Sequence, residues 1–254
     1  MGRFSDKVVI VTGAGSGIGA ATAWRFAAEG ACVVLAGRRR EKLDEVAGAI
    51  EPSRVLVRPT DVAEGDAVRG LIDETVARFG GLDVLVNNAG FAEFGPFVTS
   101  PEALWRKTMA VNVDGVYFGC RAALPHLLAR GGTIVNVSSV SGLGGDWGGA
   151  VYNASKGAVS NLTRALALEF GAKGVRVNAV NPSFTITELT AGMAENAALM
   201  SKFADRIPMG RPARVEEVAA VIAFLASSDA SFVNGVNLPV DGGVSASNGQ
   251  PNMG

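Results

Sequence analysis

The sequence predicts an α/β fold: a doubly wound parallel sheet of about seven strands with helices on both faces. Three observations carry this. Short β-branched runs alternate with longer stretches of helical apolar spacing. The runs are apolar throughout rather than alternating, as in strands buried on both faces. A glycine-rich turn joins the first run to the first helical stretch.

The elements follow in order. Lys7–Thr12 reads as the first strand, and Gly17–Glu29, after the glycines, as the first helix. Strands at Cys32–Ala36 and Arg54–Val57 flank a helix at Glu41–Ile50. Ala63–Phe79 is helical, Leu82–Asn87 a strand, and Glu102–Ala129 a long helix. Thr133–Val137, helix Tyr152–Gly171, Val175–Asn181, helix Val215–Ser227 and Val236–Pro239 complete the alternation. Ser138–Gly149 is too rich in Gly and Ser for a helix interior. Ser183–Arg211 is an insertion before the last helix, with helical spacing around Leu189–Phe203. With no repeat and no linker, residues 1–254 read as a single domain. Thr187–Arg211 is expected to act as a lid, because it leaves a strand end where the crevice of an α/β sheet lies. Residues 245–254 form a polar tail that needs something to hold it.

Composition excludes several classes. The net charge is −1, so no basic surface argues for nucleic acid. No apolar stretch reaches the roughly 20 residues of a membrane helix, and no signal sequence precedes the first strand. A cytoplasmic protein is expected, with Cys32 and Cys120 as reduced core residues. One histidine and two cysteines disfavour a structural zinc site, and no metal is expected. The single histidine, His126, reads as structural, so Ser–His hydrolase chemistry has almost no base to use.

Two constellations carry chemistry. The first is Thr12-Gly13-Ala14-Gly15-Ser16-Gly17-Ile18-Gly19 between strand and helix. Glycines let the backbone approach a pyrophosphate, and the helix N-terminus favours its charge. The second is Tyr152 with Lys156, four apart on one helix face. A free phenol ionises at about pH 10. A neighbouring ammonium is expected to lower that value and make Tyr152 a proton-transfer residue.

The glycine spacing resembles the cofactor motif of the short-chain dehydrogenase/reductase superfamily, and the rest of the chain agrees in order. Asn87-Asn88-Ala89-Gly90 follows the fourth strand. Asn112 lies in a helix, Ser139 follows the fifth strand, Tyr152-x-x-x-Lys156 comes next, and Asn181-Pro182 follows the sixth. The resemblance spans residues 5–244. It implies a Rossmann-type fold and hydride transfer between a nicotinamide cofactor and a carbonyl or alcohol carbon. Ser139, thirteen residues before Tyr152, would orient the substrate oxygen; Ser138 and Ser141 are nearby alternatives. Asn112 would act through its backbone carbonyl and a water leading to Lys156. Gly13, Ser16, Gly17, Ile18 and Gly19 would bind the pyrophosphate side, and Asp61 and Val62 the adenine. Asn88, Ala89 and Gly90 would flank the cofactor, and Pro182, Thr185 and Thr187 would meet the nicotinamide. The chain departs from the family at Ser183, where glycine is usual. A homotetramer is also implied, through the Glu102–Ala129 and Tyr152–Gly171 helices.

Cofactor choice turns on the end of the second strand. A carboxylate there binds the ribose of NAD, but this chain has Gly37 followed by Arg38, Arg39 and Arg40. A missing acid and a guanidinium fork suit a 2′-phosphate. NADP(H) is therefore favoured over NAD(H), with Arg38 as the first contact and Arg39 beside it. Phe91, Phe94, Trp147, Phe184, Leu189 and Met193 suggest an apolar substrate pocket with little charge, suited to a hydrophobic ketone or secondary alcohol. Two alternatives stand beside this. A beta-ketoacyl carrier-protein reductase would need a basic docking surface, for which Arg106 and Arg130 are candidates. A non-catalytic cofactor sensor or scaffold would have little reason to keep Ser139, Tyr152 and Lys156 together.

Overall fold

The computed structural model of the chain describes residues 2–250. Seven parallel strands form one sheet in the order β3-β2-β1-β4-β5-β6-β7. They are β1 (Val8–Thr12), β2 (Cys32–Gly37), β3 (Val55–Pro59), β4 (Val84–Asn87), β5 (Thr133–Val137), β6 (Arg176–Pro182) and β7 (Asn237–Val240). The chain starts at the middle of the sheet, winds outward to β3, then crosses back and winds the other way from β4. Ile10 of β1 pairs with Val34 on one side and Leu85 on the other, so the reversal lies between β1 and β4.

Both faces are covered, which is why all five residues of β1 are buried. Val9, Val11, Val33, Leu35 and Val86 face one layer with Phe26 of α1 (Gly17–Ala28) and Ile222 of a later helix, Val215–Ala226. Ile10, Val34 and Leu85 face the other layer. There Leu71, from the helix Gly65–Phe79, and Leu124 and Val159 from two further helices complete the core. Alternate residues of one strand thus serve opposite cores, as the pleat requires. Both cysteines are free; Cys120 is buried, and burial pushes its thiol up to about 12.

The remaining helices, in chain order, are α2 (Arg40–Ala47), α3 (Gly65–Phe79), α4 (Glu102–Met109), α5 (Gly115–Arg130), α6 (Ala150–Phe170), α7 (Ala191–Ala194), α8 (Ala197–Arg206) and α9 (Val215–Ala226). Two predicted helices differ from expectation. The long helix at Glu102–Ala129 is broken into α4 and α5 by a π-turn at Ala110–Asp114. Asn112 sits in that turn. Its amide accepts from the Phe91 N–H and donates to the Phe91 carbonyl, both at 2.8 Å. The extra residue of a π-turn delivers the side chain to that loop. The helix expected around Leu189–Phe203 is split into α7 and α8, because Asn196 caps α8 by accepting from the Leu199 N–H at 3.0 Å.

A buried polar chain ties α6 to the sheet. Asn87 of β4 donates to Asn136 of β5 at 2.9 Å, and Asn136 donates to Thr163 of α6 at 2.9 Å. Paired groups at this depth fix one helix register, since a slip would strand them without partners. At the other end of the sheet, the Asp83 carboxylate accepts from the Val8 N–H at 3.0 Å and pairs with Lys7 and Arg130. The start of the polar tail is held by Asp241, which accepts from the Gly243 and Ser245 N–H groups. Residues 251–254 of that tail lie outside the described residues. Among those described, no helix is long and apolar enough to cross a membrane.

Candidate active site

A cleft of about 1010 Å³ opens at the C-terminal ends of the strands. Gly13, Gly37, Thr60, Asn88, Ser138 and Ser183 each follow or end a different strand and each line it. This is the crevice that strand reversal creates in an open α/β sheet.

The dinucleotide end is built on the first turn. Gly13 has φ +64°, a left-handed conformation that glycine adopts without strain. The Thr12 hydroxyl accepts from the Asn88 and Ala89 N–H groups at 2.9 and 3.0 Å, and the Asn88 amide donates to the Thr12 carbonyl at 2.8 Å. Ser16 caps α1 in extended conformation, yet its side chain makes no cap hydrogen bond and the first turn holds no acid. The N-terminal N–H groups of α1 are therefore available to an anion. Ser16, Gly17, Ile18, Asp61, Val62, Asn88, Ala89 and Gly90 line the cleft with Gly13. A pyrophosphate-bearing cofactor fits this set of residues.

Gly19, expected to touch the cofactor, does not line the cleft. A Cβ there would lie 2.2 Å from the Gly13 carbonyl oxygen, so glycine at this position lets α1 close on the turn. Arg38 and Arg39 both line the cleft beside Gly37. Arg40 does not; it pairs with Asp44 along α2. Arg39 is paired with Glu188 at 2.7 Å, while Arg38 has no ion pair among the described residues.

The reacting end brings together Ser139, Tyr152 and Lys156. Lys156 is buried and donates to the Val137 carbonyl at 2.8 Å. Its ammonium lies 5.7 Å from the centre of the Tyr152 ring. Burial lowers Lys156 to about 8. Burial also pushes Tyr152 up to about 12, against the Ser139 hydrogen bond and with the Asp146 carboxylate adding to the rise. The expected lowering of the phenol by Lys156 is thus not realised by the protein alone. The ammonium donates to the Val137 carbonyl, and loss of water dominates the phenol.

Ser139 is part of a hydroxyl chain. It accepts from the Ser141 N–H at 3.1 Å and donates to the Ser141 hydroxyl at 3.1 Å, and Ser141 in turn donates to Asp146. Ser138, the other nearby serine, points away: it bonds the Lys156 carbonyl at 3.0 Å and Ser160 at 2.9 Å. Asn112 is fully buried and does not line the cleft. Its amide reaches Ser155 at 3.0 Å, and Ser155 bonds the Tyr152 carbonyl at 2.7 Å, so it braces the start of α6.

Trp147, Phe184, Leu189 and Met193 line the cleft with Phe91 and Phe94. Trp147 is 91% exposed, a rim residue, whereas Phe184 is buried and stacks on Phe203 of α8 at 4.2 Å. The pocket is more charged than its aromatic residues suggest. Lys107 lies over the Phe91 ring at 3.9 Å, and Asp146, Lys202 and Arg206 also line the cleft. Their sequence surroundings look like ordinary solvated helix or loop positions, which is why composition missed them. Ser183 does not displace the following loop: its hydroxyl turns to the Asp241 carbonyl at 3.2 Å, and Pro182, Thr185 and Thr187 all face the cleft.

The buried lysine has a measurable signature. Its folded-state value of about 8 lies below the ordinary 10.5, so the unfolded chain binds more protons between those two pH values. Stability therefore falls as pH drops from 10.5 to 8, and the full penalty persists below 8. The difference in thermal midpoint between Lys156→Met and wild type should shift in favour of the variant across that window and stay level below it. A difference that is flat throughout, in melts followed by circular dichroism, would show that the lysine is not desolvated.

Comparison with known proteins fits this geometry. The family model described as Enoyl-(Acyl carrier protein) reductase matches residues 13–245. The chain is 51% identical over 251 residues to meso-2,3-butanediol dehydrogenase of Serratia marcescens, covering 99% of both chains. It is 47% identical to cis-4-hydroxycyclohexanecarboxylate dehydrogenase of Sinomonas cyclohexanicum, covering 96% and 98%. A crystal structure of a gluconate 5-dehydrogenase from Burkholderia cenocepacia J2315, in complex with NADP and tartrate, superposes with a TM-score of 0.92. That structure is 36% identical and matches over 96% of this chain and 97% of its own. With the cleft, the glycine turn and the Ser139–Tyr152–Lys156 group already in hand, these matches settle the family: the chain belongs to the short-chain dehydrogenase/reductase superfamily and is one of its oxidoreductases.

Proposed function

We propose that this enzyme interconverts a ketone and a secondary alcohol on a small molecule with a largely apolar body, using NADP(H) in preference to NAD(H). The observation that carries the reaction is the convergence of Ser139, Tyr152 and Lys156 on one cleft whose other end is a glycine turn and a free helix N-terminus. A bound nicotinamide supplies or accepts the hydride. Ser139, held by the Ser141 N–H, orients the substrate oxygen. Tyr152 gives its proton to that oxygen in reduction and takes it back in oxidation. Lys156 keeps a positive charge near the phenol, which favours phenolate whenever the proton leaves. Asn112 braces the helix start that carries Tyr152. Gly37 without an acid, and Arg38 without an ion pair among the described residues, support the phosphate-bearing cofactor.

The relatives named for butanediol and hydroxycyclohexanecarboxylate support a small secondary alcohol. The carrier-protein reading has a relative in a 3-oxoacyl-[acyl-carrier-protein] reductase of Thermotoga maritima, 39% identical. Its docking surface finds less support. Arg130 is tied to Asp83 and the Gly80 carbonyl, at the sheet end opposite the cleft, and Arg106 pairs with Glu102.

We read residues 1–254 as one cytoplasmic domain with Thr187–Arg211 as its lid. We also infer a homotetramer formed through α4, α5 and α6. Leu168 on α6 is 86% exposed, and Trp105 and Tyr117 on the neighbouring pair are also exposed, which suits helices covered by another copy. Light scattering at micromolar concentration should give four times the monomer mass; a clean monomer would remove this part of the reading.

Tyr152→Phe keeps the ring and deletes the proton. Turnover should fall roughly 100-fold or more, with cofactor affinity little changed. Retained turnover would mean that another group is the acid. Arg38→Ala should weaken NADPH much more than NADH in a fluorescence titration, and hydrogen exchange across residues 187–211 should slow as cofactor and substrate bind. Equal losses for the two cofactors would refute the preference for NADP(H).

A further inference from the structure

The start of the lid doubles back onto the cofactor loop. Thr187 faces Gly17 so closely that a Cβ on that glycine would lie 3.2 Å from the Thr187 side chain. The next residue, Glu188, accepts a hydrogen bond from the Arg39 guanidinium at 2.7 Å. The Arg39 pairing, helped by the Ser16 hydroxyl and Lys42, holds the Glu188 carboxyl below the usual carboxylate range. A carboxylate therefore sits among the cationic and N-terminal groups that would receive the anionic parts of a dinucleotide.

The turn that presents Glu188 is fixed rather than wandering. The Thr187 N–H donates to the Thr190 hydroxyl at 2.9 Å, and that hydroxyl donates to the Thr185 carbonyl at 2.7 Å. Thr185 is in turn bridged to Ala213, beyond the far end of the lid. The carboxylate is thus delivered to Arg39 by a small hydrogen-bonded knot, with its backbone already ordered.

We propose that Glu188 is a cofactor-selectivity residue, its carboxylate competing with the 2′-phosphate of NADP(H) for the Arg39 guanidinium. The inference rests on the NADP(H) reading above and deepens it. Glu188 occupies an Nη donor of Arg39 that a 2′-phosphate held bidentately by that guanidinium would need. NADPH must displace Glu188 from Arg39, whereas NADH carries no 2′-phosphate and leaves the pair intact. Glu188 therefore narrows the preference that Arg38 and Arg39 create, and NADH remains usable. The same pair ties the start of the lid to the turn after β2.

Glu188→Gln keeps the shape and removes the charge. It should tighten NADPH about fivefold at low salt, the scale of one exposed ion pair, and leave NADH within about twofold. The gain should shrink at high ionic strength. Kd values for both cofactors are measured in wild type, Glu188→Gln, Arg39→Ala, Arg38→Ala and the Glu188→Gln/Arg39→Ala double variant. In the Arg39→Ala background the Glu188→Gln gain should vanish. A gain that survives there, an equal gain for both cofactors, no gain, or a weaker NADPH complex each overturns the proposal. The two levels are separable. If both arginine variants lose NADPH and NADH equally, the 2′-phosphate reading fails and this inference falls with it. If Arg39→Ala loses NADPH selectively while Glu188→Gln changes nothing, only this inference falls.

Discussion

Where the loops above β1 and β4 part, the Thr12 hydroxyl ties one to the other. Thr12 ends β1, and its side chain accepts from two successive N–H groups at the end of β4. This is the point at which the strand order reverses and the loops above the sheet must diverge. A cleft between diverging loops needs a rigid floor, since buried N–H groups without partners each cost roughly 1–3 kcal/mol. Thr12 satisfies both at once and the Asn88 amide returns a bond to its carbonyl. The glycine turn on one side and the Asn88–Gly90 segment on the other are held apart by a fixed distance, and the cofactor end of the cleft takes its shape from them.

The reacting end depends on a different restraint. Tyr152 and Lys156 belong to α6, which could slide on the sheet if only apolar contacts held it. The Asn87–Asn136–Thr163 chain prevents that, and Ser138 bonded to the Lys156 carbonyl adds a second tie. These polar ties lie one layer beneath the residues proposed to react. They hold the ammonium in the interior and the half-buried phenol at the cleft wall, where burial raises the phenol and lowers the ammonium. Burial thus drives the two values apart, to about 12 and about 8, so that moving a proton from the phenol to the amine costs more free energy than in water.

The parts of the molecule governed by short spacing were legible from sequence. Val9 and Val11 against Ile10 announce a strand covered on both faces, and Tyr152 with Lys156 share a helix face whatever the tertiary structure does. Features set by distant neighbours were not. Glu188 meets Arg39 across 149 residues of chain, and nothing near either one signals the other. Asp146 looks like a loop acid until Ser141 is seen to donate to it. The π-turn at Asn112 escaped because one extra residue barely alters apolar spacing over a long helix; its cause is Phe91, in another loop. The motif counts Gly19 among its glycines but does not reveal its close approach to Gly13. The phenol was expected to be acidified because proximity in sequence reveals the ammonium but not the desolvation around it.

The Ser139–Ser141–Asp146 chain leads somewhere else. A carboxylate only accepts, so the Ser141 proton is spent on Asp146, and Ser141 must then accept from Ser139. A serine hydroxyl has a single proton, and inside the protein the Ser141 hydroxyl and, at 3.4 Å, the Pro182 carbonyl both lie within its reach. In the proposed reaction the proton on the substrate oxygen belongs to Tyr152, so an alcohol and a carbonyl alike need Ser139 as a donor. Either one would bind Ser139 only after that O–H turns away from Ser141, at a net cost on the order of 1 kcal/mol.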